Sequence, residues 1–419
     1  MKVLLIGSGG REHALFWKLS QSPQLTELKV LPGNGGFPAE SRVHDVEWRD
    51  FAALRRYVSE QHFDLVVVGP EDPLVAGITD QLQDICPVFG PDQGAARLEG
   101  SKDYSKEFMR KYNIPSADWQ TFTDFDQAWA YLQSLPAPYV IKTDGLAAGK
   151  GVAVAPDLES AEKALRERML DGKFGAAGQR VIIEEFMPGE EASVFALCDG
   201  QRALPFMASQ DHKRAFDNDE GPNTGGMGAY LPVPFMTPAL MQKVQTEVLD
   251  RALAGMQAEG HPYRGLLYAG LMVEGESVRV VEFNIRFGDP ETQALMTMVD
   301  DDLLDLLYKS ATGDLGSINK IHHKPGAAIV VVLAADGYPG SYRREIPLKN
   351  LDTSSGDIIP FHAGTRHTPD GLVSNGGRVL GLGLQGSSLT AVRTQMYTEI
   401  EHFCVDGLFY RTDIGAKGV

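Results

Sequence analysis

The stretch "YVIKTDGLAAGKGVAVA" (139–155) sets two apolar runs around a glycine loop, with Gly145, Gly149 and Gly151 spaced along it. Lys142 lies inside the first run and Lys150 in the loop. Glycines let backbone N–H groups converge on phosphate oxygens, and a lysine adds charge. This is not the Gly-x-x-x-x-Gly-Lys-Ser/Thr loop, because Val152 follows Gly151 and no helix does; a plain hairpin turn is the competing reading. A second stretch, "VIIEEFMPGEEASV" (181–194), gathers four carboxylates around a strand end. A third, "VVEFNIRFGDPETQ" (280–293), places Glu282 and Asn284 two apart on a strand, so both face one side. A carboxylate and an amide oxygen on one face suit a hard cation such as Mg²⁺, which takes waters and phosphate oxygens for its other ligands. Asn is disfavoured within strands, so a ligand role accounts for it; a satisfied strand-end side chain is the alternative. Arg286 shares that face and can fork onto a carboxylate or phosphate. Together these segments make an ATP–metal site.

The elements that position them follow from periodicity. Over residues 1–100, short apolar runs ("KVLLIG", "ELKVLPG", "FDLVVVGP", "CPVFGP") alternate with helix-like segments at 11–20, 51–60 and 74–84. That alternation means a parallel sheet with helices outside it and ligands at the carboxyl ends of its strands. Those ends carry Gly7–Gly10, Gly33–Gly36 and "GPEDP" (69–73), which puts Glu71 where a ligand would be met. "SKDYSKEFMRKYNIP" reads as a helix begun by Ser101 and ended before Pro115. Residues 137–185 read as strand, glycine loop, strand, helix, strand. Residues 191–206 form a hairpin turning at Asp199-Gly200. Residues 215–234 have no periodicity and much Gly, Pro, Asn and Asp, the mark of a functional or disordered loop. A helix over 238–258, two strands ("LYAGLMVEG", "VRVVEFNIR"), a helix over 290–310 and a strand-rich module from about 326, closing with a helix over 388–402, complete the chain.

The start, "KVLLIGSGGREHALFWKL" (2–19), resembles a dinucleotide fingerprint, but the spelling fails. Gly7 and Gly9 fit, whereas the third glycine position holds Glu12. The next strand ends in Pro32, Gly33 and Asn34, with no acid for a ribose hydroxyl. What remains is a strand feeding a helix whose N-terminus suits an anion, or simply a turn that needs glycine.

Composition narrows the class. With 419 residues, 43% hydrophobic and 23% charged, the chain is long enough for several domains of ordinary globular composition. A formal charge of −17 argues against nucleic acid, which demands clustered Lys and Arg. It leaves room for a small phosphorylated substrate in a locally basic pocket. Cys86, Cys198 and Cys404 lie in no metal or redox spacing, which points to a reducing cytosol and a cytoplasmic protein. The longest obvious apolar run, "AAIVVVLAA" (327–335), reads as a buried strand, not a membrane span. Val3–Ile6 is too short for a signal peptide.

The order of these segments resembles the ATP-grasp superfamily and, within it, the phosphoribosylamine–glycine ligase (glycinamide ribonucleotide synthetase) family. "RFGDPETQ" (286–293) is that family's most specific signature. "GREHA", "GPEDPL", "EGSK", "IKTDGLAAGKGV", "IEEFMPGEEAS", "SQDHKR", "GPNTGGMGAY" and "NGGRVL" follow its order from residue 10 to 380. The resemblance implies joining glycine to 5-phosphoribosylamine with ATP through a glycyl phosphate, with Mg²⁺ or Mn²⁺ as the metal. It implies an α/β and α+β multidomain fold: an N-terminal parallel-sheet (Rossmann-like) domain over 1–101, a central ATP-grasp domain over 102–121 and 188–325, its mobile lid over 122–187, and a strand-rich C-terminal domain over 326–419. The family pattern gives Lys102 and Lys142 to the ATP phosphates and the loop Gly145, Gly149, Lys150, Gly151 to a cover over the nucleotide. It gives Glu184, Glu185 and Phe186 to adenine, Glu191 to the ribose, and Glu282 and Asn284 to the metal. Many ATP-grasp enzymes carry another carboxylate one strand earlier; "LLYAGLM" (266–272) has none. Arg286 is expected to hold a reacting carboxylate or the acyl phosphate, with Asp211 and Lys213 beside it as catalytic groups. Gly9, Gly10, Asn34, Glu71, Gly225, Gly226, Asp289, Asn375, Gly377 and Arg378 are expected around phosphoribosylamine, its phosphate taken either by the 10–13 helix start or by "NGGR" (375–378). The expected partners are small molecules, with no membrane; the working state is a monomer or a dimer, of the single-activity form. The rival readings are another purine-pathway ATP-grasp ligase or transformylase, an NAD oxidoreductase and a non-catalytic nucleotide-binding regulator.

Overall fold

The computed structural model describes residues 1–145, 151–348 and 356–419. Four near-continuous apolar runs form a parallel sheet in the order Glu27–Pro32, Lys2–Gly7, Leu65–Val68, Val88–Phe89. Such runs mark strands covered on both faces, and each face here packs into a different core. Leu4, Ile6, Val66 and Val68 join Ala196, Leu267 and Phe283 in one core. Val3, Leu5 and Val67 join Phe195, Leu197 and Leu295 in the other. The expected helix over 74–84 is broken at Gly77 (φ +89°) into Glu71–Val75 and Ile78–Leu82.

The central sheet is antiparallel, Ala203–Pro205, Glu190–Asp199, Arg264–Glu274, Ser277–Asn284. Its first hairpin turns at Gly200, in the left-handed conformation expected of that glycine. A separate antiparallel sheet, Trp119–Phe122, Val181–Glu184, Tyr139–Thr143, Val152–Ala155, has a small core of its own under the helices Phe125–Gln133 and Leu158–Met169. The helix Lys102–Lys111 leads to it, capped as expected by Ser101, whose hydroxyl accepts from the Tyr104 N–H.

Two expectations need correction. Residues 215–234 are not one irregular loop. Arg214–Phe216 pairs with Glu220–Asn223, and Gly228–Leu231 inserts beside the wholly buried strand Ala327–Ala335. Long-range pairing, invisible to local periodicity, decides that segment. The helix over 290–310 is two helices, Glu291–Met298 and Leu303–Thr312, the second capped by Asp302. The C-terminal sheet then runs Gln210–Asp211, Gly228–Leu231, Ala327–Ala335, Arg378–Gly386, Ile359–His362. Among the described residues, no helix is long and apolar enough to cross a membrane.

Candidate active site

The strand Ser277–Asn284 carries the expected metal pair, and a backbone irregularity aims it. Val278 and Val280 point into the core, so strict alternation would send Glu282 and Asn284 there too. Between the pairs Leu271–Val280 and Gly270–Glu282 the register slips by one, leaving Val281 as a bulge. Parity therefore reverses: Phe283 takes the core, and Glu282 and Asn284 turn into a pocket. The Val281 carbonyl freed there accepts from Lys142 Nζ at 3.3 Å.

Lys142 comes from the strand Tyr139–Thr143 of the separate sheet, whose immediate neighbour Val181–Glu184 sets Ile182 opposite Lys142 and Glu184 two residues further along. Its Nζ lies 2.9 Å from Glu184 Oε2, and Lys106 Nζ lies 3.2 Å from the same oxygen. All three side chains are buried, and among the described residues Glu184 Oε1 has no hydrogen-bond partner. Burial lowers the Lys106 pKa to about 8, with Glu184 pulling the other way. Lys102 faces the same pocket. Burial disfavours charge on Glu282, but Lys102, Lys142, Lys213 and Arg286 outweigh it and lower its pKa. A charged carboxylate beside an amide oxygen fits a divalent cation. Among the described residues no three His, Cys, Asp or Glu side chains converge on a metal position; the carboxylate and amide oxygens this strand turns into the pocket are those of Glu282 and Asn284.

Glu99, which no motif role anticipated, joins this pocket to the next cluster. It lines the pocket, accepts the Ile285 N–H at 2.8 Å on Oε2, and binds Arg286 Nη2 at 3.0 Å through Oε1. Arg286 Nε lies 3.1 Å from Glu71 Oε2, and its Nη1 donates to the Phe287 carbonyl at 3.2 Å. The two carboxylates shift oppositely: burial raises Glu99 despite Arg286, whereas Arg286 and Arg11 overcome burial and lower Glu71.

Arg11 extends the ladder to Glu12, Nε to Oε1 at 2.5 Å. Glu12 Oε2 accepts the Gly9 N–H at 2.6 Å, so the residue that spoils the fingerprint caps its own helix. Three glycines make room for it: a Cβ on Gly7, Gly9 or Gly69 would come within 2.4, 2.9 or 2.2 Å of the Glu12 side chain. A further cluster meets nearby. Arg378 Nη1 donates to the carbonyls of Gly225 (2.7 Å) and Asp289 (2.9 Å) and lies 3.3 Å from Asp289 Oδ1. Burial opposes ionisation of Asp289, but Arg378 and Arg11 lower its pKa. A Cβ on Gly226 would strike Pro290 at 2.4 Å, one on Gly9 would stand 3.4 Å from Asp289 Oδ2, one on Gly10 2.6 Å from Gln293 Nε2, and one on Gly377 2.2 Å from the Tyr338 ring. Thus Gly9, Gly10, Glu71, Gly225, Gly226, Asp289 and Arg378, drawn from two helix starts, the connections between elements and one strand end, lie in one region. Asn375 is exposed at its edge.

Other expected residues are engaged elsewhere. The Asn34 amide donates to the carbonyls of Ser8 (2.7 Å), His362 (2.8 Å) and Ala363 (3.0 Å) and accepts from Gly36 N–H (2.7 Å). It fastens the first sheet to the last. Glu185 Oε1 is bound to Arg279 at 2.6 Å, while Phe186 beside it is exposed. Glu191 pairs with Lys213. Asp211, next to that pair, has its pKa raised to about 7 by desolvation and by Glu291 and Glu191, with Lys213 opposing. Gly145 borders the loop with a positive φ, and Gly151 follows it; Gly149 and Lys150 lie outside the described residues.

Known proteins resemble this chain from end to end. Residues 1–99 match the phosphoribosylglycinamide synthetase N domain, 100–292 its ATP-grasp (A) domain, and 328–417 its C domain. Proteins named phosphoribosylamine–glycine ligase are similar over the full chain: that of Leptospira interrogans is 50% identical and that of Caulobacter vibrioides 48%, each matched over 100% of this chain and 99% of its own length. The crystal structure of phosphoribosylamine–glycine ligase from Thermotoga maritima superposes with a TM-score of 0.86 at 32% identity, covering 99% of this chain and 100% of that one. The biotin carboxylase domain of a Hydrogenobacter thermophilus carboxylase shares the fold (TM-score 0.71, 14% identity, 98% of this chain and 91% of that one). Three successive domain models of one family, and relatives half identical from end to end, leave one conclusion: the chain belongs to the phosphoribosylglycinamide synthetase family.

Proposed function

We propose that this protein ligates glycine to 5-phosphoribosylamine with ATP, giving glycinamide ribonucleotide, ADP and phosphate. The observation that carries this reading is Glu99: one carboxylate walls the nucleotide pocket and fixes Arg286, so phosphoryl donor and acceptor meet across a single side chain. A carboxylate is a poor electrophile. Phosphorylation by ATP turns glycine into glycyl phosphate, and the ribosylamine nitrogen then attacks its carbonyl carbon and expels phosphate. The protein's work is positioning and charge neutralisation.

Lys102 and Lys142 take the phosphates, with Gly145–Gly151 closing over them. Glu184, Glu185 and Phe186 read adenine, the exposed Phe186 offering an apolar face and Glu184 Oε1 an open acceptor. Glu191 takes the ribose after parting from Lys213. Glu282 and Asn284 hold Mg²⁺ or Mn²⁺, which supplies positive charge to the triphosphate when bound. Arg286 has used three of its five N–H donors, and the remaining two orient the glycine carboxylate. Asp211, poised near neutrality, accepts a proton from the attacking amine, with Lys213 as its counter-charge.

The ribosylamine lies along Gly9, Gly10, Glu71, Gly225, Gly226 and Asp289. Its phosphate belongs at Asn375, Gly377 and Arg378, because Glu12 already places a negative charge at the 10–13 helix start. The four-part division at residues 101, 121, 187 and 325, a lid that excludes water from the acyl phosphate, a monomer or dimer as working unit and a cytoplasmic location complete the reading. The test is ADP release with ATP and Mg²⁺, supplying glycine and freshly generated phosphoribosylamine together or singly. ADP should form at full rate only with both; formation indifferent to both would sink the proposal.

A further inference from the structure

The nucleotide pocket holds one cation for which this chemistry has no task. Lys106 lies one turn beyond Lys102 on the helix Lys102–Lys111 and reaches across to the strand Val181–Glu184. Its side chain is 3% exposed and that of Glu184 is 2% exposed. Lys106 and Lys142 approach the same oxygen, Glu184 Oε2, at 3.2 and 2.9 Å, while Glu184 Oε1 has no partner among the described residues. A single lysine balances one carboxylate, and burying a second ammonium is costly, so the pair calls for a reason.

The two lysines differ in what else holds them. Lys142 also donates to the bulged Val281 carbonyl at 3.3 Å, on the strand that bears Glu282 and Asn284. Among the described residues Lys106 has no hydrogen-bond partner of good geometry and its one ion-pair partner is Glu184, with the Trp119 ring 6.0 Å away. A chain with Lys142 alone could not release it toward a phosphate without leaving Glu184 buried and uncompensated. We propose that Lys106 is a positioning residue for the nucleotide: a standing counter-ion that holds Glu184 in place, so that Lys142 exchanges that carboxylate for the phosphates while Glu184 Oε1 stays open to a donor on the base. This rests on the ATP-ligase reading above. Lys106 touches neither phosphate nor substrate and acts through Glu184 and Lys142.

Calorimetric titration with ATP and with adenosine, both in Mg²⁺, separates the phosphate contribution from that of the base. The proteins compared are wild type, Lys106→Met, Glu184→Gln and the double variant, each shown folded by circular dichroism. Wild-type protein that fails to bind ATP sinks the ligase reading and this inference with it. Wild type that binds ATP isolates the inference. Lys106→Met should then weaken ATP at least tenfold more than adenosine, because Lys142 stays on Glu184 and keeps the base contact intact. In the Glu184→Gln background the same change should weaken ATP less than twofold, since no charge remains to detain Lys142. Equal losses for ATP and adenosine, or a tenfold loss persisting in that background, overturn it. Should Lys106→Met alone not fold, the double variant leaves one buried ammonium, Lys142, where Glu184→Gln leaves two, and the comparison of those two decides: below twofold supports the proposal, above twofold overturns it.

Discussion

Two three-charge clusters meet at the pocket wall to which Glu99 belongs, and they are built with opposite stoichiometry. At Lys106–Glu184–Lys142, two cations share one carboxylate oxygen and the other oxygen has no partner among the described residues. At Glu71–Arg286–Glu99, two carboxylates grip one guanidinium whose third nitrogen is also bonded. The first has bonding capacity to spare and one shareable partner, which suits a site whose contacts must be exchanged when a nucleotide arrives. The second is a fixed fork, which suits a group that must not move during the reaction. A planar guanidinium serves the fixed role, and flexible lysines serve the exchanging one.

The largest expected effect is on the wall beside both clusters. Glu282→Ala should lower turnover by about a thousandfold or more, since it removes the charged ligand offered to a cation at the triphosphate. ADP release measures this, and an unchanged melting curve shows that the protein remains folded; near-normal turnover would reject the metal assignment. Next comes the fixed fork. Arg286→Lys cannot satisfy Glu71 and Glu99 in their present geometry, and kcat/KM should fall by about a hundredfold, roughly 3 kcal/mol of transition-state stabilisation. If steady-state rates drop less than about threefold, the fork is not what orients the substrate.

A smaller effect belongs to pH. Below pH 7 Asp211 holds a proton and cannot accept another, so kcat/KM should decline as pH falls through about 7. Asp211→Asn should be slower throughout and lack that inflection; a profile retaining it places the base elsewhere. The linkage has a matching sign. A carboxyl whose folded pKa is raised stabilises the fold below its unfolded value and loses that contribution as pH rises through about 7. Wild-type melting temperature should therefore fall relative to Asp211→Asn across that range. The smallest effect on catalysis should come from Asn34→Ala, which strands three carbonyls and costs about 1–3 kcal/mol of stability. Thermal melts should show it, while the KM for ribosylamine changes by less than about twofold if the side chain serves only the seam.

Much of this was legible in the chain. Alternating apolar runs and helices gave the parallel sheet, and a two-residue spacing gave the shared face of Glu282 and Asn284. The failures have physical causes. A lysine or glutamate on an amphipathic helix reads as solvated, so Lys106 and Glu99 carried no sign of their burial; "EGSK" marked Glu99 without a role. Gly228–Leu231 looked like loop because its partner, Ala327–Ala335, lies a hundred residues on. Asn34 stands at the carboxyl end of a strand, where ligands are met, and what no motif indicated is that its amide also binds neighbouring carbonyls. Glu12 looked like a lost glycine, whereas the protein supplies through it the anion that its own helix would otherwise recruit.

The bulge at Val281 carries a warning for anyone redesigning this protein. Straightening the strand there with every residue kept would give a regular ladder of pairs, the kind of change favoured when a scaffold is idealised for robustness. It would also rotate every later side chain on the strand by half a turn. Phe283 would emerge into the cleft, and the carboxylate and amide would be driven among Val278 and Val280. Here regularity and activity are alternatives, separated by one inserted residue.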